Sequence, residues 1–183
     1  TLPMKPTPMN IVLRIAAIIF TMLFSLVYIT TRTIAPEYDF VYATEQVDSD
    51  VEVVFDDMAV PHIYANSEPD AMYALGYVHA MERLWQMDLL RRAGAGELSA
   101  LFGRDMIEND KYLRSLGMRE TAIRTVETLE STASPQVLEA MKAYLEGVNA
   151  FIETKELPFE YRLINAKPEP FKLRDVYCAT GFM

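Results

Sequence analysis

The chain has 183 residues, 51% of them hydrophobic, and a formal net charge of −9, which suits one modest domain plus an anchoring segment. Its 17 Lys and Arg residues form no run, and this excludes nucleic acid as a partner because phosphate binding needs clustered basic side chains. The single cysteine, Cys178, excludes an internal disulfide and a cysteine-based metal site. Its apolar surroundings predict a small buried hydrophobe rather than a nucleophile.

The N-terminal part of the sequence predicts a membrane anchor. Residues 1–10 are rich in Pro and Met and are expected to be disordered. The apolar run 11–30 then has the length that a bilayer-spanning helix needs, ~20 residues. Arg14 lies near its start and Lys5 before it, and this charge bias places the N-terminus in the cytoplasm and the globular part in the periplasm or outside the cell. A signal peptide cleaved near residues 33–35 and a buried core helix are the alternatives; we favour an uncleaved anchor.

After a polar linker over residues 31–50, the sequence predicts a β-hairpin. Residues 51–55 read VEVVF, rich in β-branched side chains, and residues 60–65 form a second short strand. Pro61 is then confined to an edge or to the first position of its strand. His62 is expected to be a buried, hydrogen-bonded ring that holds this strand in place rather than a catalytic group.

The rest of the sequence has mostly helical spacing. The longest helix is expected to begin after the capping residue Ser67, to run to about residue 93, to stop at Gly94 and Gly96, and to be buried on most sides. Its apolar stripe is predicted to contain Ala71, Leu75, Val78, Met81 or Glu82, Trp85 and Leu89, and to be widened by Leu84, Met87 and Leu90. Further helices are predicted over residues 97–102, 105–116, 119–129 and 134–153 and from residue 175 onward, with an irregular stretch over 157–171.

The sequence ends inside the apolar last helix. A helix broken at this point leaves a core unfilled and its last carbonyl groups uncapped. We therefore expect residues 51–183 to be a truncated segment of a longer protein.

A search for reactive side chains finds little. No metal-binding HExxH or CxxC motif, nucleophile elbow or phosphate-binding loop is present in the sequence. His79 and Glu82 share one face of the long helix and could act as an acid/base pair, although a structural role is favoured. The residues alone therefore predict neither a catalytic residue nor a cofactor in this segment.

The carboxylates also favour structural roles over a metal site. They do not have the spacing of a calcium-binding loop, and a buried charge needs a partner. We expect Glu82 and Asp88 to pair with Arg83, Arg91 and Arg92. The carboxylates considered are Asp56, Asp57, Glu82, Asp88, Glu97 and Asp105.

Three blocks together resemble the penicillin acylase (penicillin amidase) family of N-terminal-nucleophile hydrolases. They are VEVVFDDMAVPHIYA at 51–65, ALGYVHAMERLWQMDLLRR at 74–92, and AYLEGVNAFIE, LPFEYRLI and KPEPFKLRD within 143–175. Two positions differ from the family pattern. Ala59 stands where Gly is common, so that turn is expected to differ in shape, and Phe171 replaces a frequent Trp.

The resemblance implies a fold and a mechanism. The family fold is a four-layer αββα sandwich shared by a light and a heavy chain that are cut autocatalytically from one precursor. An N-terminal Ser of the heavy chain is the nucleophile, with its own α-amine as base. It cleaves a linear amide such as a penicillin, or an acyl-homoserine lactone. This chain would be an α+β light-chain segment, mostly helical with a short hairpin, and inactive alone.

The resemblance also implies where the remaining functional parts lie. The partners are the heavy chain and a small-molecule amide, and calcium is possible in the full-length protein with ligands outside this chain. Met183 lies close to a pocket-lining Met of the family's last light-chain helix. Tyr73, Tyr77, Trp85 and Phe102 are expected to be core rather than substrate contacts.

Two other functions compete with this one. A membrane-anchored helical binding module without catalysis is the main alternative, and it would fold alone without large exposed apolar patches. A self-contained hydrolase that uses His79 and Glu82 is the other.

Overall fold

The computed structural model describes residues 8–34, 38–154 and 157–182. The chain divides into two compact units, Thr1–Glu37 and Tyr38–Met183. In the first unit helix α1 runs over Pro8–Ile34 and is longer at both ends than the predicted apolar segment. Residues Ile11–Ile29 have a mean hydropathy of 2.3 and none of this stretch is buried. By length and composition this helix could cross a membrane, and an N-terminal signal sequence would meet the same criteria.

The second unit is mostly helical with one two-stranded antiparallel sheet, β1 and β2. The region predicted to be irregular contains the short helix α7, and the last helix begins two residues earlier than predicted. The bounds of the elements are β1 Glu52–Phe55, β2 Pro61–Tyr64, α2 Glu68–Ala95, α3 Ser99–Phe102, α4 Ile107–Ser115, α5 Met118–Thr132, α6 Pro135–Thr154, α7 Phe159–Leu163 and α8 Leu173–Phe182.

The predicted hairpin is confirmed. Phe55 pairs with Pro61, so the proline occupies the first strand position, where its missing N–H costs least. The Asp56 carboxylate accepts the backbone N–H groups of Met58 and Val60, both at 2.9 Å. These two hydrogen bonds lower the pKa of Asp56. Ala59 closes the turn with φ 59°, a left-handed conformation that favours glycine.

The prediction that His62 is buried is wrong. Its side chain is 50% exposed, and its Nε2 lies 3.3 Å from Asp56 Oδ2, so only the hydrogen-bonded part of the prediction is confirmed. The cause is the two-residue period of the strand, which turns alternate side chains to opposite faces. His62 and Tyr64 lie on the exposed face of β2, whereas Ile63 lies on its half-buried face.

The predicted ends of α2 are largely confirmed. Ser67 caps its N-terminus by accepting the N–H of Asp70 at 3.2 Å. Gly96 ends it with φ 65°, and its N–H donates to Ala93 O at 3.0 Å. Gly94 does not stop the helix, contrary to the prediction. It lies inside α2, and a larger residue is excluded there because a Cβ would be 2.2 Å from the backbone oxygen of Cys178 in α8.

The predicted apolar stripe of α2 is only partly its buried face. Of the predicted residues, Val78 and Leu84 are buried, and the other apolar ones are half-buried: Ala71, Leu75, Met81, Trp85, Met87, Leu89 and Leu90. The hydrophobic pattern misses part of the buried face because glycines and paired charges belong to it as much as apolar residues do. The buried residues of α2 are Asp70, Tyr73, Gly76, Tyr77, Val78, Ala80, Leu84, Asp88 and the run 91–95.

The close packing of α2 against α6 depends on two glycines, one on each helix, each of which faces the backbone of the other helix. A Cβ on Gly76 of α2 would lie 1.9 Å from Tyr144 O of α6. A Cβ on Gly147 of α6 would lie 1.9 Å from Tyr73 O of α2. The two backbones are therefore in direct contact, at a separation that no larger residue allows.

The main core lies between α2, α6 and the segment after α6. Tyr73 and Tyr77 belong to it, as predicted, and Trp85 packs against it with its ring 5.0 Å from the Tyr161 ring. Phe102 does not, because it lies at the end of the short helix α3 and is 43% exposed. Buried members of the core are Tyr73, Tyr77, Ala80, Leu84, Ala143, Leu145, Val148, Ala150, Phe151, Tyr161 and Phe171.

Cys178 is buried, as predicted. Only 2% of its surface is exposed, and burial raises the pKa of its thiol. A buried thiol with a raised pKa is a poor nucleophile at neutral pH.

Candidate functional site

The two residues considered as an acid/base pair are held by different partners. His79 Nδ1 lies 3.1 Å from the hydroxyl oxygen of Tyr144, and partial desolvation lowers the pKa of His79. A hydrogen bond to Glu82 raises the pKa of Tyr38, so the Glu82 carboxylate accepts from that hydroxyl. Within residues 38–154 and 157–182 the structure therefore gives His79 and Glu82 no shared hydrogen bond, and a structural role accounts for both.

The most deeply buried charge is Asp88 of α2, which is fully buried. Its Oδ1 accepts from Arg91 Nε at 2.7 Å and from Arg92 Nε at 3.1 Å. Its Oδ2 accepts from the Tyr161 hydroxyl at 2.9 Å. Burial, and then the neighbouring Asp88 charge, raise the pKa of Tyr161, so this hydroxyl stays protonated and donates.

The predicted pairing of Asp88 with Arg91 and Arg92 is thus confirmed. The predicted ion pairing of Glu82 and Arg83 is wrong. Glu82 is hydrogen-bonded to Tyr38, and Arg83 Nη1 donates to Gln86 Oε1 at 3.3 Å. Both of these side chains are on the exposed side of α2, where charges need no buried partner.

Arg91 also binds the segment that leads into α8. Its Nη2 donates to Glu169 O at 2.7 Å, and its Nη1 donates to Pro170 O at 3.3 Å and to Asp175 Oδ2 at 3.2 Å. The guanidinium carbon lies 3.8 Å from the centre of the Phe171 ring. The arginine therefore uses its charge, its fork of donors and its flat face at once.

A second clamp holds the same segment from α6. Asn149 Nδ2 donates to Phe171 O at 3.0 Å, and Phe171 N donates to Asn149 Oδ1 at 2.7 Å. The start of α8 is capped by Asp175, whose Oδ2 accepts Lys172 N at 2.8 Å. Residues 169–175 are consequently fixed on both α2 and α6. The sequence spacing predicted the contacts of Asp88 within α2, but no local pattern marks backbone carbonyls 78 and 79 residues away in the chain as partners of Arg91.

A buried carboxylate that the sequence search missed is Asp110 of α4. It accepts the N–H groups of Leu98 and Ser99, both at 2.8 Å, at the start of α3. Burial by itself would raise the pKa of Asp110, but the hydrogen bonds from Ser99 and Leu98 outweigh it and the pKa is lowered. Among the described residues, no three His, Cys, Asp or Glu side chains are grouped as metal ligands.

One cavity lies between residues 38–55 and α2 and has a volume of about 650 Å³. Its walls are largely apolar and include six aromatic rings, with the Tyr38 and Phe55 rings 4.4 Å apart and the Tyr42 and Tyr77 rings 5.0 Å apart. Burial raises the pKa of Tyr77 to about 12. The polar residues among its described lining include Thr44, Asp50 and Glu52, and none of the described lining residues is a histidine, serine or cysteine.

Met183, the predicted pocket residue, lies outside the described residues. The last described residue is Phe182, at the end of α8. In the part of the chain that the structure describes, the buried side chains of Asp88, Asp110 and Arg91 make hydrogen bonds that hold helices together. The buried Tyr77 hydroxyl, by contrast, has no hydrogen-bond partner there.

A family comparison agrees with the three sequence blocks. The profile of the penicillin amidase family matches residues 50–183, which include both strands and all helices of the second unit. The chain belongs to the penicillin amidase family.

The chain is also similar to individual curated proteins. It is 42% identical over 123 residues to the penicillin acylase 2 proenzyme of Pseudomonas sp. (strain SE83), covering 67% of this chain and 15% of that protein. It is 34% identical over 130 residues to the acyl-homoserine lactone acylase QuiP of Pseudomonas fluorescens (strain Pf0-1), covering 68% of this chain and 15% of that protein. The chain thus spans about 15% of the length of these curated relatives.

A solved structure shares the architecture. The thermostable penicillin G acylase from Alcaligenes faecalis matches with a TM-score of 0.62 and 30% sequence identity, over 71% of this chain and 69% of that chain. A mostly helical segment with a short antiparallel hairpin is therefore the arrangement of a penicillin acylase fragment.

Proposed function

We propose that this chain is the N-terminal, light-chain part of an exported amidohydrolase that cleaves a linear amide, penicillin-like or an acyl-homoserine lactone. The observation that carries the proposal is the family match over residues 50–183. Relatives that bear the names penicillin acylase and acyl-homoserine lactone acylase support the reaction class.

In this proposal the nucleophile is a Ser at the N-terminus of a heavy chain encoded downstream. Its α-amine takes the hydroxyl proton as the oxygen attacks the amide carbon, and heavy-chain donors stabilise the oxyanion. The C–N bond then breaks as that proton passes to the leaving amine, and water hydrolyses the acyl-serine to release the acid. The light-chain part is inactive alone. The proposal that this part supplies no catalytic group is supported by Asp88 and Asp110, whose carboxylates already accept hydrogen bonds that hold the fold together.

The heavy chain is the proposed partner, and the two chains would complete a four-layer αββα sandwich. Support comes from the outer surface of the hairpin, where Val54, Met58, Val60 and Tyr64 are all exposed. Apolar side chains grouped in this way are typical of a surface that another chain covers. A two-stranded sheet is also marginal in water without further strands or packing.

Two further features of the whole protein are proposals of the same kind. Met183, the residue that follows α8 in the sequence, would line the acyl pocket. Calcium would bind in the full-length protein through ligands outside this chain.

The test is to express the full-length gene and to determine the intact mass and N-terminal sequence of each product chain. Two chains, the heavier beginning with Ser, are expected, together with hydrolysis of at least one acyl amide in a panel. An unprocessed protein whose gene encodes no Ser at the junction would sink the proposal. A membrane-anchored binding module would then take its place.

A further inference from the structure

We propose that the cavity between residues 38–55 and α2 is a binding site for a small primary ammonium ion with a bulky apolar body. The cavity has a volume of about 650 Å³, which is within the range of small-molecule sites, roughly 300–1,000 Å³. The proposal does not depend on the amidase reaction. It rests on the walls of the cavity, on the charge of its lining, and on a buried hydroxyl group that has no partner.

The outer wall of the cavity, residues 38–50, is held against α2 near both of its ends. At one end Asp70 Oδ2 accepts from Ser49 Oγ at 3.0 Å. At the other end the Tyr38 hydroxyl is hydrogen-bonded to Glu82. Because the wall is attached in this way, the cavity is already formed before a ligand enters, and binding spends less free energy on ordering the chain.

The cavity is distinct from the surface assigned to the heavy chain. Residues 38–47 supply much of its lining, and they precede residue 50, where the family match begins. On β1, Val53 and Phe55 line the cavity from the half-buried face of the strand, whereas the exposed Val54 faces the other way. A chain that covers the exposed face of the hairpin therefore does not fill the cavity.

The charge of the lining favours a cation. Asp50 and Glu52 are exposed residues of the lining, and none of the ion pairs between described residues includes either of them. No lysine, arginine or histidine is present in the described lining. Since carboxylates without a basic partner create a negative potential, the cavity attracts cations and repels anions.

The aromatic rings of the walls favour the same charge. The Phe40 and Tyr42 rings lie 6.0 Å and 5.0 Å from the Tyr77 ring, and the Tyr38 and Phe55 rings are 4.4 Å apart. The faces of such rings are negative and attract ammonium groups. A metal ion is not favoured, because it needs several oxygen ligands and no suitable group of ligands occurs among the described residues. The rings and the valines around them suit a cation with an apolar body.

One buried group of the lining lacks a hydrogen-bond partner. Tyr77 is 5% exposed, and its hydroxyl makes no hydrogen bond within the described part of the chain. Buried polar groups are rarely left unpaired, because the unmade hydrogen bond costs stability. A phenolic oxygen accepts an N–H donor, so a primary ammonium ion supplies the missing contact and a quaternary one does not.

The test uses the mature full-length protein and three probes that share one rigid hydrocarbon body: adamantylamine, adamantanol and adamantane carboxylate. At pH 7 the amine is a cation, as a lysine side chain is, the alcohol is neutral and the carboxylate is an anion. Isothermal titration calorimetry measures the Kd of each probe. We expect the amine to bind about tenfold more tightly than the alcohol, and the carboxylate to bind more weakly than both. Added salt should reduce the advantage of the amine.

Glu52→Gln and Glu45→Gln form a matched pair of variants. Both glutamates are exposed, but only Glu52 is among the described lining residues. Glu52→Gln should weaken adamantylamine binding about threefold and leave adamantanol binding unchanged, whereas Glu45→Gln should change neither. Tyr77→Phe keeps the ring and removes the hydroxyl, and it should weaken adamantylamine binding about fivefold.

Equal affinities for the three probes, or no binding of adamantylamine, would overturn the proposal. An equal loss of affinity in Glu52→Gln and Glu45→Gln would also overturn it, because the effect would then come from the general surface charge. Unchanged adamantylamine binding by Tyr77→Phe would contradict the assignment of a primary ammonium ion. None of these results bears on chain cleavage or amide hydrolysis, so the proposed function is tested separately.

Discussion

At the scale of single residues, two positions can be tested by substitution: Ala59 for backbone strain and Asp110 for a buried charge. Ala59 has φ 59° in the hairpin turn, where an L side chain is crowded by its own backbone. Asp110 is 4% exposed yet ionised, because backbone N–H groups replace its water.

Ala59→Gly is expected to stabilise the fold. Relief of the left-handed strain, about 1–2 kcal/mol, exceeds the entropy that glycine adds to the unfolded chain, about 0.4–1 kcal/mol. The net gain should be about 0.5–1 kcal/mol in the free energy of unfolding, measured by urea denaturation. Ala133→Gly is the control, because Ala133 has φ −74° and carries no such strain. Ala133→Gly should lower the free energy of unfolding. An equal loss of that free energy in Ala59→Gly and Ala133→Gly would contradict the explanation.

Asp110→Asn should change the dependence of stability on pH. The folded-state pKa of Asp110 is lowered, so its contribution is present above the unfolded pKa of about 3.9 and is lost as pH falls through the lower folded pKa. The variant should be less stable than wild type at pH 7. The difference should shrink as pH falls from about 4 through the lower folded-state pKa, because the wild-type carboxyl binds a proton first in the unfolded chain and then in the folded protein. Denaturation midpoints measured from pH 7 down to pH 2 check this, and a constant difference across that range would refute it.

At the scale of elements, the contact between α2 and α6 depends on two glycines rather than on interlocking large side chains. Gly76 and Gly147 each face the backbone of the other helix. The contact brings Tyr73 of α2 and Val148 of α6 into the same core. It also sets the distance between Arg91 and Asn149, which together hold the start of α8.

Gly147→Ala is expected to force α2 and α6 apart. Its Cβ would lie 1.9 Å from Tyr73 O, and a backbone atom cannot rotate away as a side chain can. The free energy of unfolding should fall by about 3 kcal/mol, at the upper end of overpacking effects. Thermal or urea unfolding measures this loss.

Gly181→Ala is the control for this substitution. The nearest atom to its added Cβ would be Met118 Sδ at 4.0 Å, so the residue has room. Alanine is favoured over glycine inside a helix by about 1 kcal/mol, and this variant should be neutral or slightly more stable. Equal losses at the two glycines would show that space at the helix crossing is not the cause.

At the scale of the whole molecule, α1 forms one unit and residues 38–183 the other. We expect the apolar helix to remain as an uncleaved anchor, since its 19-residue apolar core has the length of a membrane span. The mature light chain should then stay in the membrane fraction after an alkaline carbonate wash and should retain residues 11–30 on N-terminal sequencing. A soluble light chain that begins near residue 36 would instead identify a cleaved signal peptide.

The sequence by itself determined the family, the hairpin, the ends of α2 and most of the helices. These features depend on local signals: a two-residue or helical period, a capping Ser67, a closing Gly96, and Asp88 one helical turn from Arg91 and Arg92. The two-residue period separates His62 from Ile63, but which of the two strand faces is covered could not be read in this way. The interior position of Gly94, the exposed Phe102 and the partners of Glu82 could not be read either. Each depends on what another part of the chain places beside it.

Only the tertiary structure decided where α8 is held. Arg91 meets carbonyl groups at 169 and 170, and Asn149 meets both polar backbone atoms of Phe171. Every residue carries such backbone groups, so no side-chain pattern distinguishes the ones that are used. Sequence patterns report the preferences of neighbours along the chain, whereas contacts between distant backbones are chosen by how the packed helices meet.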